Sequence, residues 1–188
     1  MCLCRLLAAR PELYAVPKKK GVTNLGRLRQ DVHLKEEEWA VILTEKQYQV
    51  LRRKATEPGN LLKFPQGFDD HFEPGTYMCA GCWAAGYRRA LYTSRMKFDC
   101  RCGWPGFWTN VQGAVCEEVD PDGQRREILC TRCCGHLGHL YRKEDHGFST
   151  DERHCVNSSC LVFLPAEGGS PVFPKYDSFL RSPSGSCV

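Results

Sequence analysis

The 188-residue sequence contains no apolar run that approaches the roughly 20 residues needed to cross a lipid bilayer. Its apolar beginning is short and no small-residue cleavage site follows, so no secretory signal is predicted. We therefore expect an intracellular protein, with the cytoplasm favoured and no membrane partner. A mitochondrial presequence is the alternative, because Arg5 and Arg10 precede the first acidic residue, Glu12.

The chain also lacks positive charge on the part that is expected to fold. Residues 1–30 carry seven Lys and Arg and one Glu, whereas residues 31–188 carry nineteen basic and twenty-one acidic residues. A nucleic-acid-binding domain usually carries its basic face on the folded part. We therefore expect no nucleic-acid partner and a basic, flexible arm over residues 1–38. Separately, we expect a monomer.

Cysteine, by contrast, is abundant, with thirteen residues. An odd number of cysteines without a secretory signal argues against a secreted disulfide framework. Intracellular thiols usually stay reduced, so clustered cysteines indicate metal binding or catalysis.

A mainly β fold is predicted for the body of the chain. After residue 58, Gly and Pro interrupt the sequence about every ten residues, and the short segments between them are rich in Tyr, Phe, Val and Trp, which is typical of short antiparallel strands. The turn 121–123 (PDG) predicts a hairpin between 115–119 and 126–129. Thr44 and Gln47 form a capping box that predicts a short amphipathic helix before the strands. Pro58 and Gly59 are expected to end that helix.

Two Cys-x-x-Cys pairs, Cys79/Cys82 and Cys130/Cys133, predict a metal site. The two-residue spacing lets both sulfurs of one turn face the same ion, and two such turns complete a tetrahedron. Four thiolates with no open position indicate one structural zinc ion (Zn2+) per chain rather than an iron–sulfur centre.

Two alternatives to this metal site stay open. Cys134 and His136 lie next to Cys133 and are rival ligands, although the two-residue spacing favours Cys133. A Cys-x-x-Cys pair can also be a redox pair in a βαβ unit, but no βαβ pattern surrounds either pair.

The segment 153–157 predicts a reactive thiol. If it is a strand, Arg153, Cys155 and Asn157 share one face because side chains alternate with a period of two. Arg153 would then stabilise a Cys155 thiolate, and Asn157 would orient a substrate oxygen or an imidazole. The alternative is that Cys155 is a buried core thiol.

Two further segments carry candidate site residues. His136 and His139 follow the second Cys-x-x-Cys pair, where a bound metal would hold them rigidly, which suits general acid catalysis. Trp104 and Cys102 lie in a Gly- and Pro-rich segment that predicts a loop, and Cys102 is a plausible partner for Cys155.

Taken together, these motifs resemble the B-type methionine sulfoxide reductases, which act on methionine-R-sulfoxide. The resemblance runs from about residue 43 to residue 165 and is specific in the order of its motifs as well as their content. The segments that carry it are 43–48 (LTEKQY), 56–58 (TEP), 77–82 (YMCAGC), 97–99 (KFD), 102–105 (CGWP), 130–133 (CTRC), 135–139 (GHLGH) and 153–158 (RHCVNS).

The resemblance implies a fold and a set of residue roles. The fold is two small antiparallel sheets with zinc clamping the side away from the site, in a catalytic domain over residues 39–165 and before an irregular tail over 166–188. Cys155 matches the attacking thiol, Cys102 the resolving thiol, and Trp104 the residue that lines the pocket for the substrate methyl group. The polar shell comprises His136, His139, Asn157 and Arg153, and the zinc ligands are Cys79, Cys82, Cys130 and Cys133.

The implied reaction reduces methionine-R-sulfoxide, free or in proteins. Cys155 attacks the sulfoxide and becomes a sulfenic acid, Cys102 condenses with it to a disulfide, and thioredoxin reduces that disulfide.

The sequence departs from the family pattern at several positions. Cys100 is an extra thiol two residues before Cys102 and a rival resolving residue. Gly106 replaces a residue that is usually small and polar. An acid is usual soon after the histidine-containing run, and here Glu144 and Asp145 are the candidates for it.

Two other functions compete with the reductase. A zinc-ribbon binding module would not need Cys155, and the acidic balance of residues 31–188 counts against one. A redox sensor or metal store predicts thiol oxidation without consumption of methionine sulfoxide.

Overall fold

The structure is a computed structural model that describes residues 23–59, 67–120 and 122–175. The described residues form three α-helices and nine β-strands, which confirms the predicted mainly β fold. The helices are α1 (Glu36–Ile42), α2 (Glu45–Arg53) and α3 (Ala80–Ala84). The strands are β1 (Gly75–Cys79), β2 (Ala90–Thr93), β3 (Lys97–Phe98), β4 (Gly106–Phe107), β5 (Val115–Val119), β6 (Arg126–Cys130), β7 (His136–Arg142), β8 (Glu152–Val156) and β9 (Leu161–Pro165). The expectations for residues 1–22 and 176–188 lie outside the described residues.

The strands form two antiparallel sheets, as the family resemblance implied. One sheet has three strands in the order β2-β1-β9, and the other has six in the order β3-β4-β8-β7-β6-β5. This order places β8, which carries Cys155, between β4 and β7. Residues that are distant in sequence therefore reach Cys155 from both sides.

An aromatic core joins the two sheets. Tyr77, Tyr92 and Phe163 from the smaller sheet and Phe107 from β4 are all fully buried. The rings of Tyr92 and Phe107 stack with centroids 4.1 Å apart, and Tyr77 meets Phe107 edge-on at 5.2 Å. Full burial of a Phe side chain contributes roughly 1.5–3 kcal/mol, so this contact holds β4 against the smaller sheet.

Helix α2 begins at the predicted capping box. The backbone N–H of Gln47 donates to Thr44 Oγ1 at 3.3 Å, and the Thr44 N–H donates to Gln47 Oε1 at 3.1 Å. The helix ends at Arg53, earlier than expected, because Lys54 takes a left-handed conformation with φ of 58° and caps it. Leu51 is 2% exposed, and a Cβ at Gly135 would come within 2.9 Å of it, so the glycine lets the helix pack closely against the metal-site turn.

Residues 23–35 differ from the flexible arm that we expected up to residue 38. The backbone N–H of Gly26 donates to the carbonyl of Val115, and that of Val32 donates to the carbonyl of Arg132. The Val32 side chain is 4% exposed. This segment lies against the start of β5, the edge strand of the larger sheet, and against the turn that follows β6, where its N–H groups pair with backbone carbonyls.

The predicted hairpin is confirmed by the pairing of β5 with β6 in antiparallel register. Its turn contains Gly123 with φ of +71°, a conformation that glycine adopts without strain, and the Gly123 N–H donates to the Asp120 carbonyl at 2.8 Å. In the described ranges, no helix is long and apolar enough to span a bilayer.

Candidate active site and metal centre

The four cysteines of the two Cys-x-x-Cys pairs converge between the sheets. Cys79 ends β1, Cys82 lies in α3, Cys130 ends β6, and Cys133 lies in the turn before β7. All four are buried, and their sulfur atoms lie within 4.8 Å of one another. The Sγ atoms of Cys79 and Cys133 are 3.6 Å apart, and those of Cys82 and Cys130 are 3.7 Å apart. Cys134, the rival ligand, is not part of this group.

These distances fit a single tetrahedral ion. With a zinc–sulfur bond of about 2.3 Å, the edge of a regular tetrahedron of sulfurs is about 3.8 Å. A cluster of several iron atoms would hold some of its cysteine sulfurs farther apart, because they are divided among different irons. A metal held here would tie the end of β1 in one sheet to the end of β6 in the other.

Cys155 lies on an open cleft of about 170 Å³ on the face of the larger sheet. The predicted strand is confirmed as β8, along which Arg153 and Cys155 are half-buried while their neighbours are buried. Cys155 pairs with His139 on β7 and with Gly106 on β4. Residues directly opposite each other in antiparallel strands point to the same face. The cleft lining comprises Thr56, Trp104, Arg125, Gly138, His139, Tyr141, Cys155 and Asn157.

Three thiols form a row beside the cleft. The Sγ atom of Cys102 lies 3.4 Å from that of Cys155 and 2.9 Å from that of Cys100. Hydrogen bonds from Cys100 and Cys155 lower the pKa of Cys102 to about 2. The hydrogen bond to Cys102, together with burial, raises the pKa of Cys155. The three sulfurs are therefore coupled, and their hydrogen bonds favour negative charge on the central sulfur over the two outer ones.

His139 is held in place by a carboxylate. Its Nε2 lies 3.0 Å from Oδ2 of Asp120, which Arg125 also approaches at 3.2 Å. The carboxylate can only accept a hydrogen bond, so Nε2 carries a proton. This contact fixes the orientation of the ring beside Cys155.

Trp104 forms one wall of the cleft and is fixed by the segment 56–59. Its indole N–H donates to the Glu57 carbonyl at 3.1 Å. A Cβ at Gly59 would come within 2.8 Å of the indole ring, so glycine allows the backbone to lie against it. The ring therefore offers a rigid apolar surface beside the Cys155 sulfur.

Comparison with known proteins agrees with this arrangement. The SelR domain family matches residues 43–165. Peptide methionine sulfoxide reductase B5 of Arabidopsis thaliana is 46% identical over 136 residues, which cover 72% of this chain and 91% of the relative. The chloroplastic peptide methionine sulfoxide reductase B2 of the same plant is also 46% identical over 136 residues, 63% of its length. The rice chloroplastic B3 protein (Oryza sativa subsp. japonica) is 46% identical over 140 residues, 57% of its length.

The chain belongs to the SelR domain family. The resemblance drawn from the sequence motifs is thereby confirmed, and the chain is an oxidoreductase as predicted.

Within this SelR domain, His136 lies behind His139 rather than on the cleft. The two rings meet edge-on with centroids 5.5 Å apart, and the His136 side chain is 1% exposed. Burial lowers the pKa of His136 to about 4, so its ring is neutral near pH 7. The ring therefore buttresses His139, whereas we had expected both histidines in the polar shell.

Asn157 lines the cleft, but its side-chain amide is hydrogen-bonded to the backbone of two other segments. Its Oδ1 accepts the Glu57 N–H at 2.9 Å and its Nδ2 donates to the Leu137 carbonyl at 3.0 Å. The Glu57 carboxylate in turn accepts the backbone N–H groups of Ser158 and Ser159. The amide thus braces the segment behind Trp104 against β7, in contrast to the expected contact with a substrate oxygen or an imidazole.

Arg153 lies across the strand pair from Tyr141 and stacks on its ring at 4.1 Å. Its guanidinium donates to both carboxylate oxygens of Glu144, at 2.6 and 2.7 Å. Of the two candidate acids, Glu144 is therefore the one that reaches the site. Arg153 lowers the pKa of Cys155 by its charge, but less than Cys102 and burial raise it.

Sequence reasoning missed several residues that shape this site. Asp120 and Arg125 come from the β5–β6 hairpin, whose turn was predicted but whose position over His139 was not. Tyr141 lies two residues after His139, and the alternation of strand β7 was the available signal for it. Glu57 belongs to the TEP motif, but the sequence did not indicate which backbone groups it would bind.

Proposed function

We propose that the chain reduces methionine-R-sulfoxide to methionine by a thiol mechanism, in oxidised proteins and as the free amino acid. The observation that carries this proposal is the position of Cys155, which lines a cleft between Trp104 and His139 with Cys102 only 3.4 Å behind it. A buried core thiol would have neither the cleft nor the second sulfur.

Substrate binding rests on the wall formed by Trp104. The face of an indole ring suits the methyl group of methionine sulfoxide, while the polar oxygen requires a hydrogen-bond donor on the other side. The cleft of about 170 Å³ has room for one such side chain and is open to solvent, so the rest of a protein substrate can remain outside. The names of the relatives support a peptide substrate.

In the first step Cys155 attacks the sulfoxide sulfur, and the sulfoxide oxygen passes to the Cys155 sulfur. Sulfoxide and thiol become thioether and sulfenic acid, so atoms and electrons balance. Cys155 loses its thiol proton as the attack proceeds, and this proton replaces the one that the sulfoxide oxygen takes up. His139 is the proton donor to the sulfoxide oxygen: Asp120 holds Nε2 and fixes the ring beside the nucleophile, so the donated proton is the one on Nδ1 of the doubly protonated ring.

In the second step the Cys102 sulfur attacks the sulfenic acid, forms a disulfide with Cys155 and releases water. The short sulfur–sulfur distance supports Cys102 as the resolving thiol, since only a small movement is needed. A dithiol reductant of the thioredoxin type then reduces the disulfide by thiol exchange.

The metal belongs at Cys79, Cys82, Cys130 and Cys133 and is zinc in this proposal. Zinc in a closed site of four thiolates supplies structural rigidity and no chemistry. The turn that ends in Cys133 leads into β7, so the metal holds the strand that presents His139. We also propose that the chain acts as a monomer in the cytoplasm, where reduced thiols persist.

The test is turnover of the separated R and S sulfoxides with dithiothreitol, with Cys155→Ser as the matched control. We expect consumption of the R form alone and none in the variant. Equal turnover of both forms would contradict a pocket that selects the R form, and oxidation of thiols without release of methionine would support a redox sensor instead.

A further inference from the structure

Cys100 is positioned to react with Cys102 and has no role in the mechanism above. Its Sγ lies 2.9 Å from the Sγ of Cys102, whereas the Sγ of Cys155 lies 3.4 Å from that atom. In an extended segment, residues two apart point to the same side but stay well separated. Here Arg101 takes a left-handed conformation with φ of 55°, and the resulting bend brings the two sulfurs together.

The fold also provides space for the Cys100 sulfur. A Cβ added at Gly106 would lie 2.6 Å from Cys100 Sγ and 3.1 Å from Cys100 Cβ, which real side chains do not tolerate without a shift. Gly106 is therefore needed for Cys100 to occupy this position. Gly106 also pairs directly with Cys155 on β8, so Cys100 lies over the strand next to the nucleophile.

We propose that Cys100 is a second resolving thiol, which takes the disulfide from Cys155 and Cys102 and leaves Cys155 reduced. The proposal rests on the proposed function, because it needs the Cys102–Cys155 disulfide formed by the first turnover. Cys102 is then the central sulfur of a relay with one neighbour on each side.

The exchange is balanced within the chain. The Cys100 thiolate attacks Cys102 Sγ, the new Cys100–Cys102 bond forms, and the Cys102–Cys155 bond breaks. Cys155 leaves as a thiolate and takes up the proton that Cys100 has lost. One disulfide is replaced by another, so no external oxidant or reductant is consumed.

The electrostatics of the row favour this order of events. While Cys102 carries the negative charge, its hydrogen bond with Cys100 raises the pKa of the Cys100 thiol, and Arg153 opposes that effect. Once Cys102 is part of a disulfide, its charge no longer raises the pKa of Cys100, while burial still raises that pKa and Arg153 still lowers it. Cys100 is therefore a stronger nucleophile after the first disulfide forms than before it.

The relay changes how many substrate molecules one chain reduces without a reductant. If Cys155 is restored inside the chain, it attacks a second sulfoxide, and two methionines are released per chain. If the Cys102–Cys155 disulfide is the end point, only one is released.

The experiment measures methionine released per fully reduced, zinc-loaded full-length chain without reductant, and maps the disulfides after alkylation of free thiols. We expect two methionines and a Cys100–Cys102 disulfide for the wild type, and one methionine with a Cys102–Cys155 disulfide for Cys100→Ser. Gly106→Ser should also release only one, because it displaces the Cys100 sulfur without removing any thiol. Cys116→Ser, which removes a buried thiol that donates to the Leu129 carbonyl, should release two like the wild type.

Release of one methionine by the wild type with only a Cys102–Cys155 disulfide would overturn the relay and leave the proposed function intact. Release of two methionines by Cys100→Ser would overturn it as well. If no methionine is released at all, the proposed function fails, and the relay is then decided by one equivalent of hydrogen peroxide. Peroxide should yield Cys100–Cys102 in the wild type, and a Cys102–Cys155 disulfide alone would overturn the relay.

Discussion

His139 connects the β5–β6 hairpin to Cys155: its Nε2 lies 3.0 Å from Oδ2 of Asp120, and its strand position is directly opposite Cys155. In the proposed mechanism Asp120 therefore acts through His139 and is a positioning residue. His139 touches the substrate oxygen in the proposed mechanism, whereas Asp120 does not.

Replacement of His139 by Ala is expected to lower kcat by about 10²–10⁴-fold, which is the usual contribution of a general acid. Asp120→Asn is expected to lower kcat by less and to leave KM almost unchanged, because it removes only the fixed orientation of the ring. The measurement is kcat and KM across pH 5–9 for both variants. An Asp120→Asn variant with an unaltered pH profile and kcat would contradict the positioning role.

Cys155→Ser is expected to abolish turnover while zinc content and fold stay unchanged, because a hydroxyl is a far weaker nucleophile than a thiolate. Circular dichroism and metal analysis provide the control for folding. Residual activity of about a tenth of wild type would mean that another thiol attacks the substrate. Cys102 would then be the first candidate, since Cys160 is fully buried.

Cys102→Ser is expected to reduce one equivalent of sulfoxide and then stop with thioredoxin as donor. The first step needs only the Cys155 sulfur, and the stall follows because no disulfide forms with Cys155. Dithiothreitol is small enough to reach the Cys155 sulfenic acid and should restore turnover. Full thioredoxin-dependent turnover of this variant would show that Cys102 is not the resolving thiol.

Trp104→Ala is expected to lower kcat/KM by roughly 10–200-fold, which is the range of losses caused by removing a small apolar contact from a hydrophobic pocket. Trp104→Phe is the matched control, because it keeps an aromatic wall and loses the hydrogen bond to the Glu57 carbonyl. It should retain most of the activity. Equal losses in both variants would mean that activity depends on the hydrogen bond between Trp104 and the segment 56–59, and not on contact between the aromatic ring and the substrate.

Cys130→Ala is expected to release the metal and to lower the free energy of unfolding by several kcal/mol, since metal binding at a closed site is coupled to folding. Cys134→Ala is the control, because Cys134 follows Cys133 but lies outside the sulfur group. Metal content and the denaturant midpoint are the measurements. A metal-free wild type with an unchanged melting temperature would contradict the structural role.

The sequence by itself determined the features that depend on neighbouring residues. The two Cys-x-x-Cys turns, the capping box at Thr44 and the β5–β6 hairpin rest on contacts within a few residues, which local spacing and turn chemistry specify. Strand alternation likewise placed Arg153 and Cys155 on one face. The family resemblance added the roles of Cys102 and Trp104.

Only the tertiary structure decided which distant residues meet. Cys102 and Cys155 are 53 residues apart in sequence, and the strand order β4-β8-β7 brings them and His139 together. Register across strands follows from packing of the whole sheet, not from local pattern. The same holds for the segment 23–35, which binds the start of β5 and the turn after β6, and for Cys100, whose position depends on the absence of a side chain at Gly106 in β4.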